Sequence, residues 1–166
     1  MAVRPWISLG LVLVVGLAST AMAETRGKVT NLPLPRFVSL KASEGNVRRG
    51  PSLSHRIDWV FKRRDMPLVV TAEYGHWRRV EDHDGQGGWV HYSLLSGVRT
   101  VIVSEDLTAM HMKADINSPV AAYAEAGVVA RLGACGTEFC RITADGRKGW
   151  ASKSALWGVS EGEIRD

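Results

Sequence analysis

The sequence DGQGGWV at residues 84–90 recurs as DGRKGWA at residues 145–151, and this echo decides the fold. Its Asp-Gly and Gly-Gly pairs favour the positive φ angles that a tight hairpin needs, so each copy predicts a hairpin loop followed by a return strand. The glycine before each tryptophan, Gly88 or Gly149, leaves room for the backbone of another strand. A repeat at a fixed distance indicates two copies of one small β unit.

Short segments rich in β-branched and aromatic residues, separated by turn residues, run through the rest of the chain. Residues 57–61 (IDWVF) and 67–72 (PLVVTA) are two of them, on either side of a charged turn. The alanine-rich residues 121–130 resemble a helix, but Gly127 and the β-branched pair after it favour a turn and a strand. Short strands at these intervals predict an all-β barrel or sandwich.

The first 23 residues have the pattern of a secretory signal peptide. Arg4 supplies a positive charge, residues 7–17 are mainly apolar, and residues 21–23 (AMA) fit a small-x-small cleavage site. The apolar run is shorter than the about 20 residues that a membrane-spanning helix needs, which disfavours a retained anchor. We therefore expect an exported protein of the periplasm or extracellular cell envelope, with no membrane span after signal cleavage.

The charge balance is only mildly basic, with 21 Lys and Arg residues against 17 Asp and Glu residues, or +4 at pH 7. Proteins that bind nucleic acid usually carry a clustered basic face. Export would also separate the protein from genomic DNA. We therefore expect no nucleic-acid partner.

The chain has two cysteines, Cys135 and Cys140, with four residues between them. In an oxidising compartment pairing is the default, and this spacing suits opposite strands of a tight hairpin. A zinc pair would need two more ligands, and the spacing differs from that of a redox dithiol. We therefore predict a structural disulfide.

A longer motif in the first copy resembles a known family. Residues 46–52 (NVRRGPS) are followed by a variable loop, then by Trp77 and Val80, and then by residues 88–90 (GWV). This string and its order resemble the bacterial SH3-like domain. The resemblance implies a small five- to six-stranded barrel, repeated in tandem, and an exported protein in which such domains commonly accompany or bind cell-wall material.

The residue patterns and the resemblance together predict how the chain is divided. The signal peptide covers residues 1–23, and an extended lead-in covers residues 24–36. The first SH3-like domain covers residues 37–97. The second, residues 98–158, keeps only the Gly-Trp end and the spacing, and a polar tail covers residues 159–166. The predicted fold is therefore all-β, with two tandem SH3-like barrels of which the second is divergent.

Aromatic and arginine side chains of the first copy are the candidates for ligand binding. Aromatic rings could stack on sugar rings or hold an extended peptide, and arginines could meet carboxylates. The alternatives are packing inside a small barrel for the rings and a solvated positive face for the arginines. Trp77 and Val80 lie an odd number of residues apart, so we expect Val80 inside the barrel and Trp77 on its rim. Further residues expected in the core are Val47, Val69, Val90 and Leu94. The candidate residues are Arg48, Arg49, Trp59, Tyr74, Trp77, Trp89 and Tyr92.

Catalytic and metal sites are not expected. Both cysteines are predicted to pair with each other, and a barrel of about 60 residues has little room for a cleft with paired carboxylates. His76, His83 and His91 lie near each other in sequence, but neighbouring strand residues point to opposite faces, so we predict no metal site and no cofactor.

The sequence therefore predicts a non-enzymatic binding module that recognises peptidoglycan or another cell-envelope component. The alternative is an envelope scaffold for protein–protein contacts without affinity for the cell wall. The oligomeric state is left open by the sequence.

Overall fold

The computed structural model describes residues 25–166, so the predicted signal peptide lies outside the described residues. Within that part the chain forms two antiparallel sheets of seven strands each. None of its helices is long and apolar enough to cross a membrane. The all-β prediction is confirmed, and the alanine-rich residues 121–130 form the end of one strand, a turn and the start of another.

The first sheet has the strand order β3-β2-β6-β5-β4-β1-β7. A single 3₁₀ turn, Tyr92–Leu94, precedes its last strand. The strands are β1 Arg36–Leu40, β2 Gly45–Arg48, β3 Ile57–Phe61, β4 Pro67–Tyr74, β5 Trp77–Glu81, β6 Gly87–His91 and β7 Leu95–Ser96.

The second sheet repeats this topology in the order β10-β9-β13-β12-β11-β8-β14, and the 3₁₀ turn Lys153–Ala155 precedes its last strand. The resemblance implied five or six strands in each barrel. The seventh strand of each sheet has only two residues and pairs with the first strand of the same sheet. The strands are β8 Thr100–Val103, β9 Thr108–His111, β10 Val120–Ala124, β11 Val129–Cys135, β12 Phe139–Ala144, β13 Arg147–Ser152 and β14 Leu156–Trp157.

Each sheet curls around a hydrophobic core of its own, and the two cores share no residue. The tandem arrangement of two small barrels is therefore confirmed. The first core consists of Leu40, Val47, Phe61, Leu68, Val70, Val80 and Val90. The second consists of Val101, Val103, Met110, Ala124, Ala130, Leu132, Cys135, Cys140, Ile142, Ala151 and Leu156.

The predicted orientation of β5 is correct, because Val80 is fully buried and Trp77 is only half-buried. One expected core residue is misplaced: Val69 is half-buried on the outer side of β4. Its neighbours Leu68 and Val70 are fully buried, and alternation along the strand turns the residue beside each core residue away from the core.

The glycine before each tryptophan has the predicted role. A Cβ on Gly88 would lie 2.7 Å from the carbonyl oxygen of Arg48, and one on Gly149 would lie 2.6 Å from the Cβ of Met110. Both distances are too short for a real side chain. In the first barrel β2 therefore passes directly over Gly88 of β6. In the second barrel β9 passes directly over Gly149 of β13.

Residues 26–33 form a loop that an antiparallel bridge between Arg26 and Pro33 closes, so the expected extended lead-in is wrong here. The cause is the buried carboxylate of Glu73 at the end of β4. It accepts hydrogen bonds from the backbone nitrogens of Val29 (3.0 Å) and Thr30 (2.9 Å) and from Thr30 Oγ1 (2.6 Å). The loop therefore folds back around one acidic side chain.

Two arginines complete the surroundings of Glu73. Arg36 Nη2 donates to Oε1 at 2.7 Å, and Arg78 Nε lies 3.5 Å from the same oxygen. Burial opposes ionisation of the carboxyl, but the hydrogen bonds from Thr30, Arg36 and Val29 outweigh it and lower the pKa of Glu73 to about 2. Glu73 is therefore ionised in the folded barrel at neutral pH.

The second barrel holds the same corner with a disulfide. Glu73 is opposite Arg78 across β4 and β5, and Cys135 is opposite Cys140 across β11 and β12. The sulfur atoms of this second pair are bonded, which confirms the predicted disulfide. An ion pair in one copy and a covalent bond in the other therefore occupy equivalent positions.

The two barrels contact each other directly through aromatic rings. Trp157 makes edge contacts with Phe37 (5.5 Å between ring centroids) and His83 (5.6 Å), and the Arg99 guanidinium lies 5.4 Å from the Phe37 centroid. Thr100 Oγ1 also donates to the carbonyl oxygen of Asp65 at 2.6 Å. These contacts hold the two barrels together beside the short segment that joins β7 to β8.

Candidate functional site

An open groove of about 650 Å³ lies on the first barrel, where the β4–β5 turn meets β6 and the loop between β2 and β3. This volume is in the range of ligand sites in proteins. The groove is lined by Pro51, Ser52, Leu53, Tyr74, Gly75, His76, Trp77 and His91.

Strand register places the floor of the groove. Tyr74 is opposite Trp77 across β4 and β5, and Trp77 is opposite His91 across β5 and β6. Directly opposed residues share a face of the sheet, so these three side chains form a row across three strands. Tyr74 is 64% exposed, and the rings of Trp77 and His91 meet edge to face at 5.5 Å. The row therefore presents ring surfaces to solvent.

Two further rings extend the row at one end. The Tyr92 ring lies 4.9 Å from that of His91 and 5.5 Å from that of His76. His91 Nδ1 accepts a hydrogen bond from the backbone nitrogen of Ser93 and so caps the 3₁₀ turn. Nδ1 is also 2.8 Å from Ser93 Oγ, so Nε2 is the ring nitrogen that can meet a ligand.

The loop that forms the opposite wall is organised by the residues of the NVRRGPS motif. Arg48 Nη1 donates to the carbonyl oxygens of Leu53 (3.0 Å) and His55 (2.7 Å). A Cβ on Gly50 would lie 2.5 Å from the His55 ring, so this ring packs directly against the glycine. Ser52 Oγ lies 2.9 Å from His55 Nδ1. The motif therefore shapes the wall of the groove.

The second arginine of the motif is held by an ion pair away from the groove. Arg49 Nε lies 3.0 Å from one carboxylate oxygen of Asp58, and Arg56 Nε lies 2.6 Å from the other. The hydrogen bonds from Arg49 and then Arg56 lower the pKa of Asp58 below its ordinary value. All three groups are at the surface, where such pairs contribute little to stability.

The groove contains some of the candidate residues and excludes others. Tyr74 and Trp77 line it, and Tyr92 adjoins it. Trp59 is 47% exposed on the edge strand β3 and lies outside the lining, as do Arg48 and Arg49. Trp89, on the outer face of β6, is also outside the lining, opposite Arg48 and Arg79.

Sequence reasoning missed His76 and His91 as groove residues, because it considered them only as metal ligands. The strand period contained a signal for His91, since residues two apart on a strand share a face and Trp89 was already a candidate. Pro51 and Leu53 gave no such signal. Their place in the wall depends on how Arg48 holds the loop.

The chemistry of this groove is that of binding. Exposed rings can stack on flat or ring-shaped groups, and imidazole and hydroxyl groups can form hydrogen bonds. No carboxylate lines it, and the two cysteines of the chain are bonded to each other, so neither offers a thiolate. Within residues 25–166 no three His, Cys, Asp or Glu side chains are grouped to hold a metal ion.

A model of one protein family, described as bacterial SH3 domain, matches the chain twice, at residues 41–97 and 104–158. No curated protein sequence matches. Two solved structures that match are NlpC2 and NlpC1 from Trichomonas vaginalis, at 15% and 14% identity and a TM-score of 0.35 each. The matches cover 74% and 79% of this chain, which spans about half (48%) of each of those proteins.

Proposed function

We propose that this chain, which belongs to the bacterial SH3 domain family, is an exported, non-enzymatic binding module that recognises peptidoglycan or another cell-envelope component. The single observation that carries the proposal is the open groove of the first barrel. Its floor is the row Tyr74, Trp77 and His91, and its wall is built by the loop that Arg48 holds.

Peptidoglycan suits this groove for a chemical reason. It offers sugar rings, whose apolar faces stack on aromatic side chains, and extended peptides, which fit open aromatic-lined grooves. The imidazoles of His76 and His91 add hydrogen-bonding groups beside the rings. A cell-envelope ligand also agrees with the signal-peptide pattern of residues 1–23.

Retention of the purified protein on isolated sacculi tests the proposal. We expect the protein to sediment with sacculi and Trp77→Ala to weaken this binding about tenfold, because an anchoring aromatic residue typically contributes more than 1 kcal/mol. Trp59→Ala is the matched control, since Trp59 is exposed on the same barrel but outside the groove. If both variants bind like the unchanged protein, the groove is not the binding site.

A second candidate function is an envelope scaffold that binds other proteins. It is favoured by the edge strands β3 and β10, which carry exposed apolar side chains such as Trp59 and Tyr123. An edge strand can accept a strand from a partner. Crosslinking in cells separates the two functions: one dominant protein adduct, together with no retention on sacculi, favours the scaffold.

A further inference from the structure

The second barrel has a pocket of about 500 Å³ of its own. It lies between the β11–β12 turn, the end of β13 with the turn after it, and the segment that follows β14. Its lining residues are Thr137, Glu138, Phe139, Ser152, Lys153, Ser154, Val159 and Glu161.

One wall of this pocket corresponds to the floor of the groove on the first barrel, while its other wall comes from different segments. Phe139 is opposite Ser152 across β12 and β13, as Trp77 is opposite His91 across β5 and β6. The fold therefore presents the same corner twice. The chemistry has changed, because the indole and imidazole of the first copy are a phenyl ring and a hydroxyl in the second.

The outer wall of the pocket is held in place by a buried lysine. Lys153 is only 8% exposed, and its Nζ donates to the carbonyl oxygens of Glu161 (2.9 Å) and Glu163 (2.7 Å). The carboxylate of Glu163 is in turn bound by both terminal nitrogens of Arg99, at 2.8 and 3.1 Å. A flexible ammonium group is thus fixed to two backbone carbonyls, which keeps the wall ordered.

The same contacts leave the acidic side chains of the pocket available. Glu138 and Glu161 bond to Lys153 through their backbone oxygens, while their carboxylates form no hydrogen bond or ion pair with any residue between 25 and 166. Two carboxylates against one lysine give the lining a net negative charge. The hydroxyls of Ser152 and Ser154 lie 2.9 Å apart and provide further acceptors.

We propose that this pocket is a second binding site, for a ligand that presents a primary ammonium group. An ammonium carries three donors and a positive charge, which matches two free carboxylates and a pair of hydroxyls beside an apolar ring. The site is chemically distinct from the aromatic groove, so it gives the tandem protein two different specificities. It does not depend on the ligand of the first barrel.

The probe for the test is Nα-acetyl-lysine methylamide, whose side-chain amine is free, titrated into the ¹⁵N-labelled protein. We expect saturable shifts of the amide signals of Thr137, Glu138 and Ser154, and weaker binding at about 1 M salt, where charges are screened beyond about 3 Å. The double variant Glu138→Gln/Glu161→Gln should bind at least about tenfold more weakly, because it removes the charge of both acceptors.

The matched control is Glu125→Gln, which removes an exposed carboxylate of the same barrel outside the pocket and should leave binding unchanged. The Nε-acetylated probe, which has lost its charge, should not produce the shifts. The proposal is overturned if the acetylated probe binds equally, if the double variant binds like the unchanged protein, or if the signals respond to a neutral chitin disaccharide instead.

Discussion

Glu73→Gln tests the account of how the first barrel is held together. In the folded protein Oε2 accepts from the backbone nitrogens of Val29 and Thr30, and Oε1 accepts from Thr30 Oγ1 and Arg36 Nη2. A glutamine keeps the shape, but its NH₂ group must face donors on one side or the other. It also removes the negative charge between Arg36 and Arg78, both of which are largely buried.

Two considerations give the same size for the loss of stability. The pKa of Glu73 is lowered from 4.5 to about 2, and at 1.36 kcal/mol per pH unit this corresponds to about 3 kcal/mol at neutral pH. Removing one partner of a buried ion pair typically costs roughly 3–5 kcal/mol. We therefore expect Glu73→Gln to lower the free energy of unfolding of the first barrel by about 3 kcal/mol at pH 7.

The effect also has a pH dependence of fixed sign. Because the folded-state pKa lies below the unfolded one, the stabilisation is complete above about pH 4.5 and is lost as the pH falls toward 2. At pH 2 the carboxyl of the unchanged protein becomes protonated in both states. The difference in stability between the unchanged protein and Glu73→Gln should therefore shrink over this range.

Hydrogen exchange followed by mass spectrometry in urea is the suitable assay, because it reports the two barrels separately. Since the barrels have separate cores, amides of β1–β7 should lose protection at lower urea, while those of β8–β14 should change much less. Glu44→Gln, at an exposed position of the same barrel, is the control and should have no effect. Equal stability of Glu73→Gln and the unchanged protein at pH 7 would refute the reasoning.

Two further predictions concern the second barrel. Replacing Cys135 and Cys140 together by serine should lower its free energy of unfolding by about 2 kcal/mol, since the bond closes only a short loop. Urea unfolding with and without reductant measures this difference. An effect of reductant on the double variant would contradict the prediction. Gly149→Ala should destabilise the barrel by at least about 1–3 kcal/mol, because its Cβ would overlap Met110. Gly162→Ala is the control, because a Cβ at that position meets no atom within 4 Å. Thermal unfolding of the two variants isolates the effect of the overlap, and equal melting temperatures would count against it.

Features that follow from local rules could be predicted from the sequence. The hairpin loops and the close approach at Gly88 and Gly149 follow from what glycine permits. The opposite orientations of Trp77 and Val80 follow from the two-residue period of a strand. The disulfide follows from the presence of only two cysteines, at hairpin spacing, in a chain whose first 23 residues predict export.

Features that depend on register between distant segments could not be predicted. The row that forms the groove floor requires that Tyr74 and His91 both lie opposite Trp77, and no local pattern fixes that pairing. The partners of Arg48 could not be predicted for the same reason. Its charge suggested a contact with a ligand, but it donates to backbone carbonyls of the next loop. The bonds from Thr30 to Glu73 span 43 residues and leave no sequence signal at all.

The equivalent corners of the two barrels have the same topology but different chemistry. At this corner the hairpin of β4 and β5, or of β11 and β12, is held closed beside the groove or the pocket. In the first barrel Glu73 and Arg78 do this, and Glu73 also binds the loop of residues 26–33. In the second barrel a disulfide holds the corner. The segment after β14 is attached to it by two backbone hydrogen bonds between Cys135 and Arg165.

This difference has a physical consequence. A buried ion pair depends on both charges, so the first barrel loses stability when acid protonates its carboxylate. A disulfide is insensitive to pH over that range but is lost on reduction. Acid should therefore loosen this corner in the first barrel, and a reductant should loosen it in the second. Each condition thus acts on the corner of one barrel without any mutation.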